Sequence, residues 1–373
     1  MSSYFVAPLA ISGISAGLAF LVSVTDKIVN NYGDVVINVN EGTRELNVKG
    51  GGNLLVTLAE QGIFVPSACG GRGSCGECKV KVKNDIGPHM PTELPYLTQE
   101  QMSENIRVSC QVKVKEDIEI EIPEYLFNIQ EMEGHVEAIR DVTHDIKEVH
   151  IGLAEGFEVS YRAGQYGQLE VPPYGKVKEP TARAYSMASN PTDKKHLEFL
   201  VRLVPGGIVT SYVHEQMQEG EKVKIVGPFG DFYVRETDAT MICVAGGSGM
   251  APFKSIFRER VEKGLMEERD IWYFFGARTS KDVFYLDWLY ELDDTYERFH
   301  FVPALSEPEE GAEWRGATGL ITEVLDDYLK NSIPTDEAKE GYLCGSPGML
   351  DACMEVMRSN EMTEDKIYFD KFA

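Results

Sequence analysis

Four cysteines in the first third of the chain have the types and spacing to hold a metal centre. Cys69, Cys75 and Cys78 are spaced C-x5-C-x2-C, and Cys110 follows in a stretch that is expected to be a strand. Four thiolates suit either zinc or an iron–sulfur cluster. Zinc ribbons usually supply two C-x-x-C knuckles, whereas this segment has one. The spacing therefore favours a [2Fe–2S] cluster, and the glycines among these cysteines would let the backbone wrap closely around it.

A second candidate site lies near the C-terminus, where three motifs follow predicted strands. The stretch VAGGSGMAP (244–252) has the strand, glycine turn and helix order of a phosphate-binding loop. GAR (276–278) and CGSPGM (344–349) also follow strands, at the edge where open sheets bind ligands. The candidate nucleotide contacts are Gly246, Gly247, Ser248, Gly249, Met250, Arg278 and Gly345.

Between these sites, RAYSMAS (183–189) is predicted to form a strand that places Arg183 and Tyr185 on one face and Ser186 on the other. PGGIVTSYV (205–213) follows, with a glycine turn that enters a helix near 210–217. The amides at the start of such a helix would bind a pyrophosphate.

The elements that carry these motifs divide the chain into four predicted segments. Residues 1–30 hold an uncharged run from Phe5 to Val24, long enough for a transmembrane helix. Residues 31–128 open with a hairpin and a helix over 53–62, and are expected to form an α+β ferredoxin-like domain. Residues 129–236 show short alternating strands typical of an antiparallel β-barrel. Residues 237–373 alternate strands with helices, which indicates an α/β domain with a parallel sheet.

Composition excludes several classes of protein. The formal net charge of −24 argues against a nucleic-acid partner. Seven cysteines, an odd number, do not suggest a disulfide framework. The apolar N-terminal run has no basic residue ahead of it, so a retained membrane anchor is favoured over a cleaved signal.

The two motifs of the barrel together resemble the ferredoxin–NADP reductase superfamily. The resemblance implies that the barrel binds FAD, with Arg183 paired to the diphosphate, Tyr185 against the isoalloxazine and Ser186 near flavin N5. It further implies that the diphosphate is lined by Gly207, Val209 and Thr210. Cys344 would lie beside the nicotinamide, which makes Ser186 and Cys344 the candidate catalytic residues, and Phe372 would cover the flavin.

The order of anchor, ferredoxin, flavin barrel and NAD domain, with FGARTSKDVFYLDWL, ALSEP and YFDKF, resembles the F subunits of the sodium-translocating NADH:quinone reductases. The resemblance to that family spans essentially the whole chain. It implies hydride transfer from NADH to FAD, then single electrons through the cluster to partner subunits in the inner membrane, with the catalytic domains on the cytoplasmic side. A flavin is the converter that such a path needs between a hydride donor and a one-electron centre.

Two alternatives stay open. One is a reductase component that feeds an oxygenase or another soluble terminal enzyme, and it predicts full activity after residues 1–30 are removed. The other is a zinc-stabilised adaptor, which predicts a colourless protein. Asp282, beside Arg278 and Lys281, favours NADH over NADPH, because an acid disfavours a 2′-phosphate there.

Overall fold

The computed structural model describes residues 15–18, 20, 32–309 and 313–372. These residues group into two compact units. The first unit contains the described residues up to Ser67 and residues 71–128. The second unit contains residues 68–70 and the described residues from 129 onwards. No helix within the described residues is long and apolar enough to cross a membrane. The predicted anchor over 5–24 lies outside the described residues, apart from 15–18 and 20.

The first unit is built on a five-stranded mixed sheet in the order β2-β1-β5-β3-β4. Its strands are β1 (Asp34–Val39), β2 (Arg44–Lys49), β3 (Lys79–Val82), β4 (Ile106–Val108) and β5 (Ile118–Glu121), and its helices are α1 (Leu54–Glu60) and α2 (Gln99–Ser103). The predicted hairpin is confirmed by the antiparallel pairing of β1 with β2, which runs from Asp34 opposite Lys49 to Val39 opposite Arg44.

The first helix of this unit forms where the sequence predicts it. Asn53 caps α1, because its side chain accepts a hydrogen bond from the Val56 amide at 2.9 Å. Leu54, Leu55 and Leu58 of α1 are buried, as the helical spacing predicts. Ile118 and Ile120 of β5 are likewise buried. Cys110, however, is not in a strand, since the chain leaves β4 and forms a short 3-10 turn over Ser109–Gln111.

The second unit begins with a six-stranded antiparallel sheet in the order β10-β7-β6-β11-β8-β9. Its strands are β6 (Gln130–Asp141), β7 (Ile146–Leu153), β8 (Tyr166–Val171), β9 (Thr181–Ser186), β10 (His196–Arg202) and β11 (Lys222–Phe229). An isolated bridge between Met187 and Phe199 joins its two end strands, so the sheet curls back on itself. Helix α3 (Ile208–Glu215) lies beside the sheet, two residues earlier than the sequence predicts. The antiparallel architecture predicted for this region is confirmed.

The rest of the second unit is a parallel sheet in the order β15-β14-β13-β12-β16-β17, which confirms the predicted α/β class. Its strands are β12 (Thr240–Gly246), β13 (Ile271–Ala277), β14 (Phe299–Leu305), β15 (Ala317–Thr318), β16 (Lys339–Gly345) and β17 (Ile367–Lys371), and its helices are α4 (Met250–Glu262), α5 (Leu286–Thr295), α6 (Ile321–Asn331) and α7 (Pro347–Ser359). Along β12, Met241, Cys243 and Ala245 enter one core, whereas Ile242 and Val244 enter the core on the opposite face.

The strand order reverses at β12. The chain moves from β12 to β13 and β14 on one side, and then crosses to β16 on the other side. A reversal of this kind leaves a crevice at the carboxyl ends of the two strands that flank it, which is where open α/β sheets bind ligands. Helices α4 and α7 begin there, at Met250 and Pro347. Pro252 and Pro347 fall in the first turns of these helices, where a missing amide hydrogen costs nothing.

Candidate functional site

The cysteine loop has a backbone that requires glycine. Gly71, Gly73 and Gly76 have φ of +81°, +76° and +70°, in the left-handed region that other residues rarely adopt. The loop is also crowded: a Cβ on Gly73 would lie 2.4 Å from the Gln111 side-chain nitrogen, and a Cβ on Gly76 would lie 2.4 Å from the Tyr96 Cβ. These positions therefore hold the loop closely against its neighbours.

Cys78 and Cys110 are brought together by this loop and the turn after β4. Both are buried, and the Ser109 amide donates to the Cys78 carbonyl at 2.7 Å. A hydrogen bond with the Cys110 thiol raises the pKa of Cys78, and burial raises it further. The Cys110 backbone and the Ser109 side chain act on that pKa in the opposite direction. The two thiols are thus in direct contact.

The surroundings of these thiols fit a [2Fe–2S] cluster. The Gln111 side-chain amide donates to the Cys110 sulfur at 3.3 Å. The Ser109 hydroxyl, next to Cys110 in the chain, is buried and makes no hydrogen bond to any described residue, so it is a donor without an acceptor there. Soft thiolate ligands with nearby N–H and O–H donors are the environment in which protein-bound clusters are held and tuned. Cys75 is half-buried in the same loop, and Cys69 lies in the 68–70 segment that groups with the second unit.

Strand β9 holds the predicted flavin contacts. Arg183 and Tyr185 alternate along it as predicted, and Ser186 ends the strand and is buried. The Tyr185 ring lies edge-on to Phe199, with centroids 6.4 Å apart, and burial raises the pKa of Tyr185. Arg183 donates to the carbonyl of its neighbour Ala182 at 2.6 Å.

At the start of α3, the groups available to bind a diphosphate are backbone amides rather than side chains. Gly207 precedes the helix, and a Cβ there would lie 2.4 Å from the Thr210 hydroxyl. Val209 is buried in the core of the antiparallel sheet. Thr210 is buried as well, and its hydroxyl accepts from the Val204 amide at 3.2 Å. At Val209 and Thr210 the groups left for a diphosphate are therefore the amides of the first helical turn, not the side chains.

Ser186 and Cys344, predicted from separate motifs, meet through a residue that sequence reasoning missed. The Ser186 hydroxyl donates to the Asp370 carboxylate at 3.0 Å. Asp370 lies opposite Cys344 in the pairing of β16 with β17. Burial raises the pKa of Cys344, the negative charge of Asp370 raises it further, and Ser186 acts against both. Cys344 is therefore a neutral thiol, fully buried beside a serine and a carboxylate.

The only sequence signal for Asp370 was an acidic residue near the end of the last predicted strand, in YFDKF. Alternation along a strand does not show which partner strand such a residue will face.

The glycine turn packs against the same strand end. A Cβ on Gly249 would lie 2.2 Å from the Cys344 carbonyl oxygen, and a Cβ on Gly246 would lie 2.9 Å from the Met349 sulfur. Gly345 has φ of +149°, and its carbonyl accepts from the Phe372 amide at 3.0 Å. The nucleotide turn, Cys344 and the C-terminal aromatic thus converge on the carboxyl ends of β12 and β16.

Two other predicted nucleotide contacts, Ser248 and Met250, have buried side chains. Ser248 is buried, and the fully buried Met250 accepts a hydrogen bond at its sulfur from the Tyr273 hydroxyl at 3.0 Å. The Met250 side chain thus belongs to the core, and its contribution to a nucleotide site is limited to its backbone.

The two basic residues that bear on nicotinamide choice are exposed, and each lies near an acidic side chain. Arg278 is 75% exposed, and its Nε lies 3.7 Å from Glu307. Lys281 lies 3.6 Å from Glu309. Asp282 accepts from both the amide and the hydroxyl of Thr279 at 2.9 Å, so it caps a short turn. Both basic side chains therefore face a carboxylate.

A buried charged cluster connects the antiparallel sheet to α4. Glu148 of β7 and Glu198 of β10 both bind the Lys254 ammonium, which lies 2.8 Å from Glu198. His150 lies 2.6 Å from Glu148. Burial works to raise the pKa of Glu148, but His150 and Lys254 outweigh it and hold that pKa well below its usual range. Although the two carboxylates and the imidazole could ligate a metal, the ammonium already supplies the cation, so this cluster fixes α4 to the sheet.

Comparison with known proteins agrees with this geometry. Family models match three consecutive regions: a 2Fe-2S iron-sulfur cluster binding domain over 37–115, an oxidoreductase FAD-binding domain over 133–233 and an oxidoreductase NAD-binding domain over 243–355. The chain is therefore a flavin- and iron–sulfur-dependent oxidoreductase that binds FAD, a nicotinamide nucleotide and a [2Fe–2S] cluster.

Full-length relatives identify the family. The chain is 36% identical to the F subunit of the Na(+)-translocating NADH-quinone reductase of Neisseria gonorrhoeae, over 96% of this chain and 97% of the relative. It is also 36% identical to the equivalent protein of a Marinomonas species, which carries the same name, over 96% of each. The chain belongs to the family of Na(+)-translocating NADH-quinone reductase F subunits.

Two solved structures with similar folds are reductases. A cytochrome P450 reductase from Amycolatopsis matches with a TM-score of 0.72 and 27% identity, over 91% of this chain and 98% of that one. A ferredoxin reductase of carbazole 1,9a-dioxygenase matches with a TM-score of 0.68 and 26% identity, over 91% and 99%.

Proposed function

We propose that this protein is the electron-input subunit of a membrane-bound NADH:quinone reductase. It takes hydride from NADH at the carboxyl ends of β12 and β16 and delivers electrons through FAD to the [2Fe–2S] cluster. FAD supplies the conversion between two-electron and one-electron transfer. The observation that carries the proposal is the meeting of Ser186, Cys344 and Asp370 beside the glycine turn, because it joins the end of the flavin strand to the nucleotide crevice.

The protein's own residues position the reactants at this site. Gly249 lets the nucleotide turn approach the Cys344 carbonyl, so a nicotinamide bound there would lie beside the thiol. A neutral, buried Cys344 offers a small, apolar surface that excludes water without adding charge. Ser186, held by Asp370, would face flavin N5. Phe372, which is half-buried, would lie against the flavin.

Cys69, Cys75, Cys78 and Cys110 are proposed as the cluster ligands. The contact between the Cys78 and Cys110 thiols, the left-handed glycines and the unpartnered Ser109 hydroxyl support this assignment. Arg183 would pair with the FAD diphosphate, together with the backbone of Gly207, Val209 and Thr210, and Tyr185 would pack against the isoalloxazine.

The proposed nucleotide contacts are the backbone of the turn from Gly246 to Met250, with Gly345 and Arg278. The donor is proposed to be NADH. Glu307 and Glu309 offset the charges of Arg278 and Lys281, which leaves little positive potential for a 2′-phosphate.

The proposed organisation is an anchor over 1–30, a ferredoxin domain over 31–128, an FAD domain over 129–236 and an NAD domain over 237–373. The protein would be held in the inner membrane by a single pass, with its catalytic domains in the cytoplasm and other subunits of the complex as partners. The uncharged run over 5–24 and the names of the relatives, which describe sodium translocation and quinone reduction, support this.

A second function is favoured by one observation: the two solved structures that match over 91% of this chain are reductases of a cytochrome P450 and of a dioxygenase. Deletion of residues 1–30 distinguishes the two. The proposed function predicts that the truncated chain keeps NADH-dependent reduction of an artificial acceptor but no longer supports quinone reduction in membranes. Unchanged native activity after truncation would establish the soluble-reductase function instead.

A further inference from the structure

Two polar side chains flank Cys110 in the turn that follows β4. Ser109 and Gln111 belong to the 3-10 turn that carries Cys110, and Ser109 is fully buried. The hydroxyl of Ser109 makes no hydrogen bond to any residue within the described parts of the chain. Burying an unpaired hydroxyl costs free energy, so a serine here is unfavourable unless something else accepts its proton.

The geometry indicates where that acceptor lies. The Ser109 amide donates to the Cys78 carbonyl at 2.7 Å, which holds the two residues side by side.

Gln111 makes the matching contact on the other side. Its side-chain amide donates to the Cys110 sulfur at 3.3 Å. The same amide lies against Gly73 in the cysteine loop, where a Cβ would come within 2.4 Å of its nitrogen. Gly73 therefore leaves the space that lets this amide reach the sulfur.

We propose that Ser109 and Gln111 raise the reduction potential of the [2Fe–2S] cluster by donating hydrogen bonds to its sulfurs, Gln111 to the sulfur of Cys110 and Ser109 from its buried hydroxyl. The proposal rests on the ligand assignment given under the proposed function. Donors at ligand sulfurs stabilise the reduced cluster, which carries one more negative charge than the oxidised cluster. They are positioning and tuning residues and do not themselves transfer electrons.

The test is a redox titration of the full-length holoprotein with dithionite and mediators, read by the EPR signal of the reduced cluster. Because NADH is absent, the result does not depend on the nicotinamide reaction. We expect Ser109→Ala and Gln111→Met each to shift the midpoint potential to more negative values, and thereby to lower the equilibrium constant for cluster reduction by about tenfold. Exchangeable-proton couplings to the cluster, measured in H₂O and D₂O, should weaken in both variants.

Two controls separate tuning from packing. Ser109→Thr keeps the hydroxyl and should retain the wild-type potential. Ser103→Ala removes a hydroxyl from the same unit, one that donates to the Glu100 carbonyl at 2.7 Å, and should leave the potential unchanged.

If Ser109→Ala assembles no cluster, the potential of Gln111→Met decides the question. A wild-type potential in Gln111→Met or in a cluster-containing Ser109→Ala protein, or equal shifts in Ser109→Thr and Ser109→Ala, would overturn the proposal. Absence of the cluster from the wild-type protein would overturn the ligand assignment itself.

Discussion

The two cysteine sites of this chain differ in the groups that surround the thiol. Cys78 and Cys110 contact each other between a glycine loop and a short turn, with hydrogen-bond donors beside their sulfurs. Cys344 lies fully buried near the end of β16, and its neighbours are a carboxylate and a serine rather than a second thiol. Burial raises the pKa of Cys78 and of Cys344 alike, but Cys78 lies beside a second thiol that accepts from a side-chain amide, whereas the neighbour of Cys344 is a carboxylate that raises its pKa further. In the proposed function, the paired thiols would bind iron at one end of the electron path, and the single neutral thiol would lie beside the nicotinamide at the other.

The largest effect that would break this comparison is loss of a cluster ligand. We expect Cys110→Ser to lower cluster content by at least about tenfold, because the hydroxyl oxygen is a harder ligand than a thiolate. Flavin content and NADH-dependent flavin bleaching should persist. The visible spectrum and iron analysis of the purified protein measure both. Cys353→Ala is the matched control, since Cys353 is buried in the core of the parallel sheet, and it should retain the cluster.

At the nucleotide end, the next largest effect is expected from Gly249→Ala. The added methyl would lie 2.2 Å from the Cys344 carbonyl oxygen, so the turn must move away from the strand end. A displacement of about 1 Å would slow flavin reduction by NADH on the order of 100-fold, as measured by stopped-flow absorbance. Gly348→Ala, which has nothing within 4 Å of the new methyl, should react at the wild-type rate. Equal rates in all three proteins would show that the turn does not position the nucleotide.

Asp370→Asn sharpens the comparison by removing a charge while keeping a hydrogen-bond acceptor for Ser186. We expect flavin reduction to slow by about tenfold, which corresponds to about 1.4 kcal/mol, with the cluster potential unchanged. Asp351→Asn removes a carboxylate that pairs with Lys371 on the surface and serves as the control. A shift in the cluster potential of Asp370→Asn would mean that the two cysteine sites are not separate.

The smallest effect is expected at the exposed rim. Glu307→Gln releases Arg278 from its carboxylate partner at 3.7 Å and should lower the KM for NADPH by about twofold, with little change for NADH. Glu355→Gln, on the exposed part of α7, is the matched charge change and should alter neither value. Steady-state kinetics with both nucleotides checks this, and higher activity with NADPH than with NADH in the wild-type protein would contradict the NADH assignment.

Prediction from the sequence succeeded where local pattern and chemistry coincide. The spacing of the cysteines, the hairpin before α1 and the strand, turn and helix order around Gly246 each specify a feature without reference to distant residues. The prediction that Cys110 lies in a strand was wrong, because the chain leaves β4 and forms a 3-10 turn at this residue.

Other features could not be predicted, since they depend on which segments meet in the folded chain. Asp370 reaches Ser186 across 184 positions of sequence. The Lys254 ammonium lies between two carboxylates of the antiparallel sheet, where sequence alone indicates a helix residue of no special role. The Val209 and Met250 side chains were assigned to cofactors by their place in motifs, but burial turns them into core residues.

The central claim is that electrons pass from NADH to the cluster by way of the flavin. The most direct test is anaerobic rapid mixing of the purified chain with NADH, following flavin absorbance and the EPR signal of the cluster, in FAD-replete protein and in protein stripped of FAD. The account predicts that flavin bleaching precedes the cluster signal, and that the stripped protein keeps an oxidised cluster until FAD is restored. Cluster reduction by NADH in the FAD-free protein would contradict it.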